Sequence, residues 1–524
     1  MNQHNNSQEK NVCKLSKIIV IFFSLFIILQ LLGGVYIIFT SLDPIIISYG
    51  EKNWFPESSK QKPEYEDKKE KGIQSIRKKN FTDAMYELRR YLYLDDGKEC
   101  LNKSINPKRR DPETLIYLNN AKIEENVKTK EEKVYTIAVP VPISKEPTES
   151  LEILRGVAQF QNEFNCLPKD NRNFYLKVAI TSDDDNPEIA KEVAKKLAKE
   201  PHILGVVGHR SSSATLEAKN IYNDKKLVAI TPTSTSIELS QQKNSENYVF
   251  RTVPSDKVAA EKLGKYMLET LNKRKAAIFY TQGKYSLSLK KEFVHYVNSH
   301  GGEVSSNELY DLSSPYFSPP ESTNQAIKEG AEVLMLVPDN DDTLNKVILL
   351  INQSKKKFNL LGGDVVYTNK IIQKDAAWLE WLNEMVVAIP WHIDAKAKST
   401  LESESDFATN SQNLWGAKVS WRTALAYDAT NALIEAIKKN PDQKKIRKTL
   451  ISEKFKFDGA SGNVQFCQNG DRKQNDAPAS GNVQSEQNGD CKQNDVPKDD
   501  HVQLVKIVPK KENQSEYEFV PITE

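Results

Sequence analysis

Two hydroxyl-rich segments of this 524-residue sequence have residue types that could bind a charged small molecule. They are residues 205–215 (GVVGHRSSSAT) and 231–236 (TPTSTS), and each follows a short apolar run typical of a buried strand. In an open α/β sheet, ligands bind beyond the carboxyl ends of the strands, where a helix N-terminus offers free N–H groups to a carboxylate. Serine and threonine are also common in helix caps and turns, but two such loops after strands in the same part of the chain favour a binding site for a zwitterion. The candidate ligand-binding hydroxyls are Ser211, Ser212, Thr233 and Thr235.

Catalytic and metal-binding patterns are missing from the sequence. It contains no G-x-S-x-G, H-E-x-x-H or P-loop motif and no carboxylates at metal-ligand spacing. Residues 183–185 are three consecutive aspartates, but Pro187 opens a helix just after them, which favours helix capping over a metal site. His209 is expected to be structural, and Arg210 is expected to be solvated at the rim of the site. We therefore expect a protein that is not an enzyme and that needs neither a cofactor nor a metal.

Composition limits the class of partner. Hydrophobic residues make up 39% of the chain, charged residues 27%, and the formal net charge is +2. No basic run is interleaved with aromatic residues, so nucleic acid is not an expected partner. Five cysteines occur without C-x-x-C spacing; Cys100 and Cys166 either pair, if they are exported and close, or remain separate thiols.

The N-terminal region predicts a membrane anchor. Residues 18–42 are uncharged and long enough to span a bilayer, and lysines dominate the preceding flank. The positive-inside tendency places residues 1–17 in the cytoplasm and everything after about Asp43 outside. A cleaved signal peptide is the alternative, although no small-x-small cleavage site follows the apolar run. Residues 43–71 are rich in Lys, Glu, Pro and Ser and are expected to form a charged linker.

Residues 72–125 predict a short helical pair. Apolar residues recur at helical spacing, and Asp111-Pro112 marks a helix start. The pattern resembles tetratricopeptide helices, with Asn80-Phe81 and Ala84 at the turn and the small core position. One to one and a half repeats cannot bury their own faces, so we expect a pair that packs on the next domain rather than an independent protein-binding module.

From residue 134 onward, short apolar strands alternate with amphipathic helices, which predicts an α/β protein with parallel sheets covered by helices on both faces. The alternation restarts after Pro254, so two lobes are expected, joined near Val253-Pro254 and Ile389-Pro390. The lobe boundaries are predicted as 134–253 with 390–459 and 254–389 with 460–524. Strands are expected at 135–141, 176–180, 203–207, 227–230, 276–280, 333–337, 360–361, 385–389 and 502–508, and helices at 151–164, 187–199, 214–223, 287–298, 324–329, 343–354 and 421–439.

A tandem duplication lies near the C-terminus. Residues 460–478 and 479–497 are two copies of a polar 19-residue segment. The first copy retains Val464 and Phe466 at strand spacing before the turn Asn469-Gly470, whereas the second has lost its aromatic residue. We expect the first copy to form a strand and turn and the second to be a looped-out insertion.

The segments GVVGHRSSSATLEAKNIYNDKKLVAITPTSTSIELS and YVFRTVPSD make the sequence similar to a known family. They resemble the branched-chain amino-acid-type substrate-binding proteins of ABC transporters, which have a type I periplasmic-binding fold. The resemblance extends from about Val134 to Ile522. It implies two lobes that close on a small ligand, with Ser212, Thr233 and Thr235 holding the carboxylate and ammonium of that ligand.

The second lobe would supply two further residues. The resemblance implies that Tyr285 covers the ligand and that Asp364 pairs with its ammonium, although the usual residue there is a glutamate, one carbon longer. An aromatic residue that the family carries after one strand is missing, and Pro338 and Asp339 stand in its place. The ligand side chain therefore stays open among amino acids, small amides and aromatic acids.

The resemblance implies an extracytoplasmic receptor that binds an amino acid or similar small polar solute by cleft closure and passes it to an ABC permease. The alternative is a membrane-anchored sensory or scaffold receptor that uses the same cleft to signal to a partner protein. The 17 residues expected in the cytoplasm are too few to form a signalling domain.

Overall fold

The computed structural model describes residues 45–56, 63–92, 110–128, 132–241, 246–372, 378, 382, 385–394, 402–473, 502–510 and 516–522. The predicted anchor at 18–42, the segment 1–17 and the second repeat copy at 479–497 lie outside these residues. Among the helices in the described ranges, none is both long enough and apolar enough to cross a membrane.

Secondary structure follows the predicted alternation. The helices are α1 (Pro63–Arg77), α2 (Phe81–Leu92), α3 (Pro112–Val127), α4 (Pro147–Asn165), α5 (Pro187–Leu197), α6 (Ser212–Lys225), α7 (Asp256–Lys265), α8 (Lys284–Ser299), α9 (Pro319–Lys328), α10 (Asp341–Ser354), α11 (Asn369–Ile372), α12 (Glu402–Trp415), α13 (Trp421–Lys439) and α14 (Ile446–Leu450). The strands are β1 (Val134–Val141), β2 (Tyr175–Ser182), β3 (Ile203–Val207), β4 (Ala229–Thr231), β5 (Val249–Arg251), β6 (Lys275–Phe279), β7 (Glu303–Ser305), β8 (Val333–Leu336), β9 (Asn359–Gly362), β10 (Val386–Ile389), β11 (Phe457–Gly459), β12 (Gly462–Val464), β13 (Gln503–Pro509) and β14 (Tyr517–Pro521).

Lobe 1 is a parallel five-stranded sheet in the order β2-β1-β3-β4-β5. Strands β1 and β3 are almost entirely buried and are mostly apolar, with Thr136 and Tyr135 as the polar exceptions in β1, as expected for a sheet with both faces covered. Helices α4 and α13 pack side by side on this lobe. Gly156 permits their close approach, because a Cβ atom there would lie 2.2 Å from the carbonyl oxygen of Thr423.

Lobe 2 is a seven-stranded sheet in the order β14-β13-β10-β9-β8-β6-β7. Strands β6 to β10 are parallel, whereas β13 pairs antiparallel with β10 and with β14. The predicted final strand at 502–508 corresponds to β13, but β14 lies beyond it and was not predicted. The two-lobed α/β architecture with parallel sheets is therefore confirmed.

The chain passes between the lobes at Pro254, at Pro390 and again before Val502, where it enters β13. The boundary predicted at residue 460 is wrong for residues 460–473, which pack on lobe 1. The Phe466 ring lies 5.3 Å from that of Phe250, and the backbone N–H of Ala460 donates to Asp428 Oδ1 at 2.6 Å. Burial of Phe466 holds the segment on this lobe.

The N-terminal helices pack on lobe 1 as well. Asn120 on α3 donates to the carbonyl oxygen of Val178 on β2 at 2.7 Å, and α3 also contacts α4. Residues 72–92 belong to two helices separated by a turn at 78–80, which includes the predicted turn residue Asn80. This arrangement agrees with a helical unit packed on the next domain, and the tetratricopeptide assignment stays a prediction.

The linker predicted at 43–71 is wrong where residues are described. Ser48 exchanges two backbone hydrogen bonds of 2.9 Å with Ile180, and α1 begins at Pro63. Lys69 on α1 is 1% exposed, and its Nζ lies 2.7 Å from carboxylate oxygens of both Asp111 and Glu113. A segment whose composition is typical of a linker therefore forms a helix, and the ammonium group of Lys69 on this helix is buried in ion pairs.

Candidate functional site

The loop after β3 is held by buried ionic contacts. His209 Nδ1 lies 2.5 Å from Asp183 Oδ2, and His209 Nε2 lies 2.8 Å from the Tyr222 hydroxyl oxygen, so this histidine is structural as expected. Arg210 is only 7% exposed and pairs with Asp185 at 3.2 Å, so its predicted place in solvent at the rim is wrong. Its guanidinium is buried because carboxylates from neighbouring loops surround it.

The aspartates at 183–185 do not cap α5. Asn186 is the N-cap, and its side chain accepts hydrogen bonds from the backbone N–H groups of Glu188 and Ile189. Asp183 and Asp185 are instead the partners of His209 and Arg210, as described above. The expectation that these residues serve the structure of the protein agrees with these contacts, but the predicted capping role is wrong.

The serines at the start of α6 act mainly within the protein. Ser211 is the N-cap and accepts from the backbone N–H of Ala214 at 3.2 Å, and Ser212 Oγ accepts from the N–H of Ser236 at 3.3 Å. Ser213 Oγ accepts from the N–H of Lys284 in lobe 2 at 3.2 Å. The predicted ligand-binding residues Ser211 and Ser212 therefore stabilise the loops around the cleft.

The two predicted threonines differ in their surroundings. Thr233 Oγ1 donates to the carbonyl oxygen of Arg210 at 2.7 Å and is thereby engaged in holding two loops together. Thr235 is 5% exposed, and its hydroxyl forms no well-aligned hydrogen bond with any described residue, although it lies close to the Asp256 carboxyl group. Of these two threonine hydroxyls, that of Thr235 is therefore the one available to a ligand.

A small cavity lies where the lobes meet; it is partly open to solvent, and its volume of about 10 Å³ is room for about one water molecule. Thr235 reaches it from lobe 1, and Tyr285 and Asp364 reach it from lobe 2, so three of the six predicted site residues come together here. All three crossings of the chain also contribute to its wall. The lining residues are Thr235, Pro254, Ser255, Asp256, Ala259, Tyr285, Leu289, Asp364, Ala388, Ile389, Pro390 and Val502.

Two further polar groups of this cavity have an atom without an aligned hydrogen-bond partner among the described residues. Tyr285 is 8% exposed, and its hydroxyl lies near Asp364 without the geometry of a hydrogen bond to any described residue. Asp256 is 1% exposed, and its Oδ2 atom likewise has no donor in the described ranges. Buried polar atoms without partners are costly, so a molecule that supplies donors and acceptors here would bind favourably.

Burial controls the charge of the two carboxyl groups. It raises the pKa of Asp364, and the guanidinium groups of Arg422 and Arg210 oppose that rise. It also raises the pKa of Asp256 to about 7, with nearby Asp364 adding to the effect. Burial raises the pKa of the Tyr285 hydroxyl well above its usual value, so this group stays a hydrogen-bond donor. The cavity is an acidic site that favours a positively charged group.

Direct contacts join the lobes around the cavity. The backbone N–H of Ile237 donates to Ser288 Oγ at 3.1 Å, and Lys284 forms an ion pair with Glu238 at 3.0 Å. Together with the Ser213 contact to the Lys284 backbone, these bonds run from lobe 1 to helix α8 of lobe 2. The structure thus has its lobes closed on each other.

Sequence reasoning missed Asp256. It is the first residue of α7, directly after the crossing at Pro254-Ser255, and its backbone N–H donates to the carbonyl oxygen of Thr235 at 2.9 Å. A Pro-Ser-Asp sequence indicates a helix start, and this structural role alone explains why an aspartate stands there, so the sequence offered no reason to assign it to a ligand. The Asp256 side chain lines the cavity because the three segments that cross between the lobes come together there, and the sequence does not show this.

Comparison with known proteins supports the fold and the family. The sequence profile of a family described as periplasmic binding protein matches residues 176–481, more than half of the chain. A leucine-, isoleucine-, valine-, threonine- and alanine-binding protein of Pseudomonas aeruginosa is 24% identical over 57% of this chain and 77% of its own length. A leucine-specific-binding protein of Salmonella typhimurium is 33% identical, but the match spans only 22% of this chain and 30% of that relative.

Solved structures share the architecture. A leucine-binding protein from Thermotoga maritima has a TM-score of 0.58 at 17% identity, and the match covers 74% of this chain and 99% of that one. A branched-chain amino acid transporter substrate-binding protein from Streptococcus pneumoniae, in complex with isoleucine, has a TM-score of 0.57 at 17% identity, covering 74% and 100% of the respective chains. At these identities the likeness shows the fold alone. The profile match and the two-lobed fold together show that the chain belongs to the periplasmic binding protein family.

Proposed function

We propose that this chain is an extracytoplasmic receptor that closes its two lobes on an amino acid or a similar small polar solute and passes it to an ABC permease. The observation that carries the proposal is the interlobe cavity, where Thr235, Tyr285 and Asp364 meet. Relatives named for binding leucine, isoleucine and valine support an amino acid as the ligand class.

The chemistry of the cavity suits a zwitterion. Asp364 would accept hydrogen bonds from the ligand ammonium, and the Thr235 and Tyr285 hydroxyls would donate to its carboxylate. Water is largely excluded at this depth, so charge-assisted hydrogen bonds there are strong. Because these groups come from both lobes, a ligand bound by them would stabilise the closed state over an open one.

Two further observations support a location outside the cytoplasm. Cys166 and Cys467 are both in disulfide bonds, which persist in oxidising compartments. The uncharged segment at 18–42 would tether the receptor to the membrane, and the lysines before it would keep residues 1–17 in the cytoplasm.

The test is a thermal-shift screen of the full-length chain, purified in mild detergent, against the amino acids and small amides. A ligand present at 100 times its dissociation constant should stabilise the protein by about 2.7 kcal/mol. Asp364→Asn should weaken binding by about 10- to 100-fold, because a hydrogen bond to a charged group contributes about 1.5–3 kcal/mol. Asp458→Asn, on the exposed surface of β11, is the matched control and should bind as the wild type does. A ligand that binds equally well to the Asp364→Asn variant would contradict the proposal.

A further inference from the structure

A second group of carboxylates lies across the same cleft. Glu146 and Glu149 belong to the start of α4 in lobe 1, and Asp341 is the first residue of α10 in lobe 2. One carboxylate oxygen from each lies within 4.8 Å of those of the other two. The backbone N–H of Asp341 also donates to Glu146 Oε1 at 3.1 Å, so this acidic cluster sits at the contact between the lobes.

Both glutamates present an oxygen without a donor. Glu146 is 3% exposed and Glu149 is 7% exposed, and the Oε2 atom of each has no hydrogen-bond donor within the part of the chain that is described. Asp341 differs, because Lys370 pairs with it. Two buried carboxylate oxygens that face each other without a donor require either a proton or a positively charged group between them.

The arginines beside this cluster are already engaged. Arg210 pairs with Asp185 at 3.2 Å and donates to the carbonyl oxygen of Asp339 at 3.4 Å, and Arg422 pairs with Glu152 at 3.2 Å. Since its charge is offset by these contacts, Arg210 is not available to bind an anionic ligand side chain.

The acidic cluster and the cavity share one electrostatic environment. The charges of Arg422 and Arg210 act on Glu149 and also on Asp364 in the cavity. Carboxylates outnumber these two guanidiniums among the buried and partly buried charged groups near the cleft, and the acidic cluster lies beside the residues that line the cavity rather than among them. The carboxylates concerned are Glu146, Glu149, Glu152, Asp185, Asp256 and Asp364.

We propose that the ligand carries a second positively charged group, as lysine, ornithine and arginine do, and that Glu146 and Glu149 bind this group. The inference rests on the proposed function, since the α-ammonium of the same ligand would meet Asp364. A neutral aliphatic side chain would leave the Oε2 atoms of both glutamates without a donor, and an acidic side chain would be repelled by them.

In the unliganded protein, a proton can bind the Glu146 carboxyl group where the cationic group of the ligand would bind. Burial raises the pKa of Glu146 to about 7, and the charged groups that face it are Arg210, which opposes the rise, and Glu149 and Asp341, which add to it. A cationic side chain would displace this proton. Binding of a basic amino acid should therefore release a proton, and its affinity should increase as pH rises through about 7.

The experiment compares lysine with norleucine, which has the same chain without the terminal ammonium, by calorimetric titration of the full-length chain. Lysine, ornithine or arginine should bind at least about tenfold tighter than norleucine. The double variant Glu146→Gln/Glu149→Gln should lose this preference while keeping its affinity for norleucine, and Glu303→Gln on the exposed edge of lobe 2 should keep the preference.

The possible failures are distinguishable. Tighter binding of norleucine or leucine than of every basic amino acid overturns the inference and leaves the proposed function standing. If no amino acid or amide binds, the proposed function fails and the inference fails with it. A melting-point shift with Ca²⁺ or Mn²⁺ that the double variant abolishes would make the acidic cluster a metal site, which also overturns the inference.

Discussion

Replacing Asp256 with asparagine should stabilise the unliganded protein near and above neutral pH. The Asp256 carboxyl group is buried without a donor for Oδ2 among the described residues, and burial raises its pKa from the ordinary 3.8 to about 7. In the unfolded chain this group loses its proton near pH 4, whereas in the folded chain it keeps the proton up to about pH 7. Between these values the folded state binds more protons, so the contribution of this group to stability decreases as pH rises.

The size of the change in unfolding free energy follows from the rise in the pKa of Asp256. A rise of about 3 pH units, at 1.36 kcal/mol per unit, corresponds to about 4 kcal/mol as an upper bound. Asparagine cannot ionise, so the Asp256→Asn variant escapes this cost. The difference in unfolding free energy between variant and wild type should therefore change by up to about 4 kcal/mol in favour of the variant between pH 4 and pH 8.

Urea-induced unfolding of the full-length chain at each pH from 4 to 8 measures this difference. Comparing variant with wild type cancels the titration of all other groups. The control is Asp458→Asn, at an exposed aspartate on β11. A difference between Asp256→Asn and wild type that stays constant across this range would refute the reasoning, because Asp256 would then be ionised in the folded state.

Three further changes test the packing that positions the site. Lys69→Met should destabilise the protein by about 3–5 kcal/mol, because it leaves the buried carboxylates of Asp111 and Glu113 without the lysine ammonium. Lys71→Met, on the exposed side of the same helix, is the control and should cost less than about 1 kcal/mol. Urea unfolding measures both changes. Asp428→Ala removes the acceptor of two backbone N–H groups of the 460–473 segment and should speed proteolytic cleavage within that segment, and an unchanged cleavage rate would contradict its attachment to lobe 1. Reduction should lower the melting temperature, because Cys166 and Cys467 are in disulfide bonds that typically contribute about 2–4 kcal/mol each, and a melting temperature indifferent to reductant would argue against them.

The elements that carry the site could be predicted because their patterns are local. Strand β3 and helix α13 were predicted with the bounds that the structure has, and the other strands that were predicted lie within a few residues of the observed ones. Buried parallel strands form short apolar runs, and the helices between them show amphipathic spacing. The restart of this alternation after Pro254 was enough to predict a second lobe.

The surroundings of individual side chains could not be predicted in the same way. Arg210 stands beside serines in the sequence, which suggests exposure to solvent, but Asp185 from another loop and Glu149 from the first turn of α4 lie beside its buried charge. Ser212 matches the residue that the family resemblance assigns to the ligand, but its hydroxyl accepts from the Ser236 backbone. Such contacts join residues that are far apart in the sequence, so no local pattern indicates them.

Weak or short patterns account for the missed elements. Strands β5 and β7 have three residues each, too few for alternation to be recognised. Residues 460–473 are mostly polar, and only the packing of Phe466 against Phe250 assigns them to lobe 1. Helix α1 is rich in lysine and glutamate, so its composition resembles a linker although one face packs on the protein.

A crystal structure of the full-length chain with the amino acid that gives the largest thermal shift tests the central claim most directly. We expect ligand density between the lobes, with the α-ammonium about 2.7–3.2 Å from the Asp364 carboxylate and the ligand carboxylate near the Thr235 and Tyr285 hydroxyls. Ligand density outside this cavity, or an empty cavity at saturating ligand, would contradict the account.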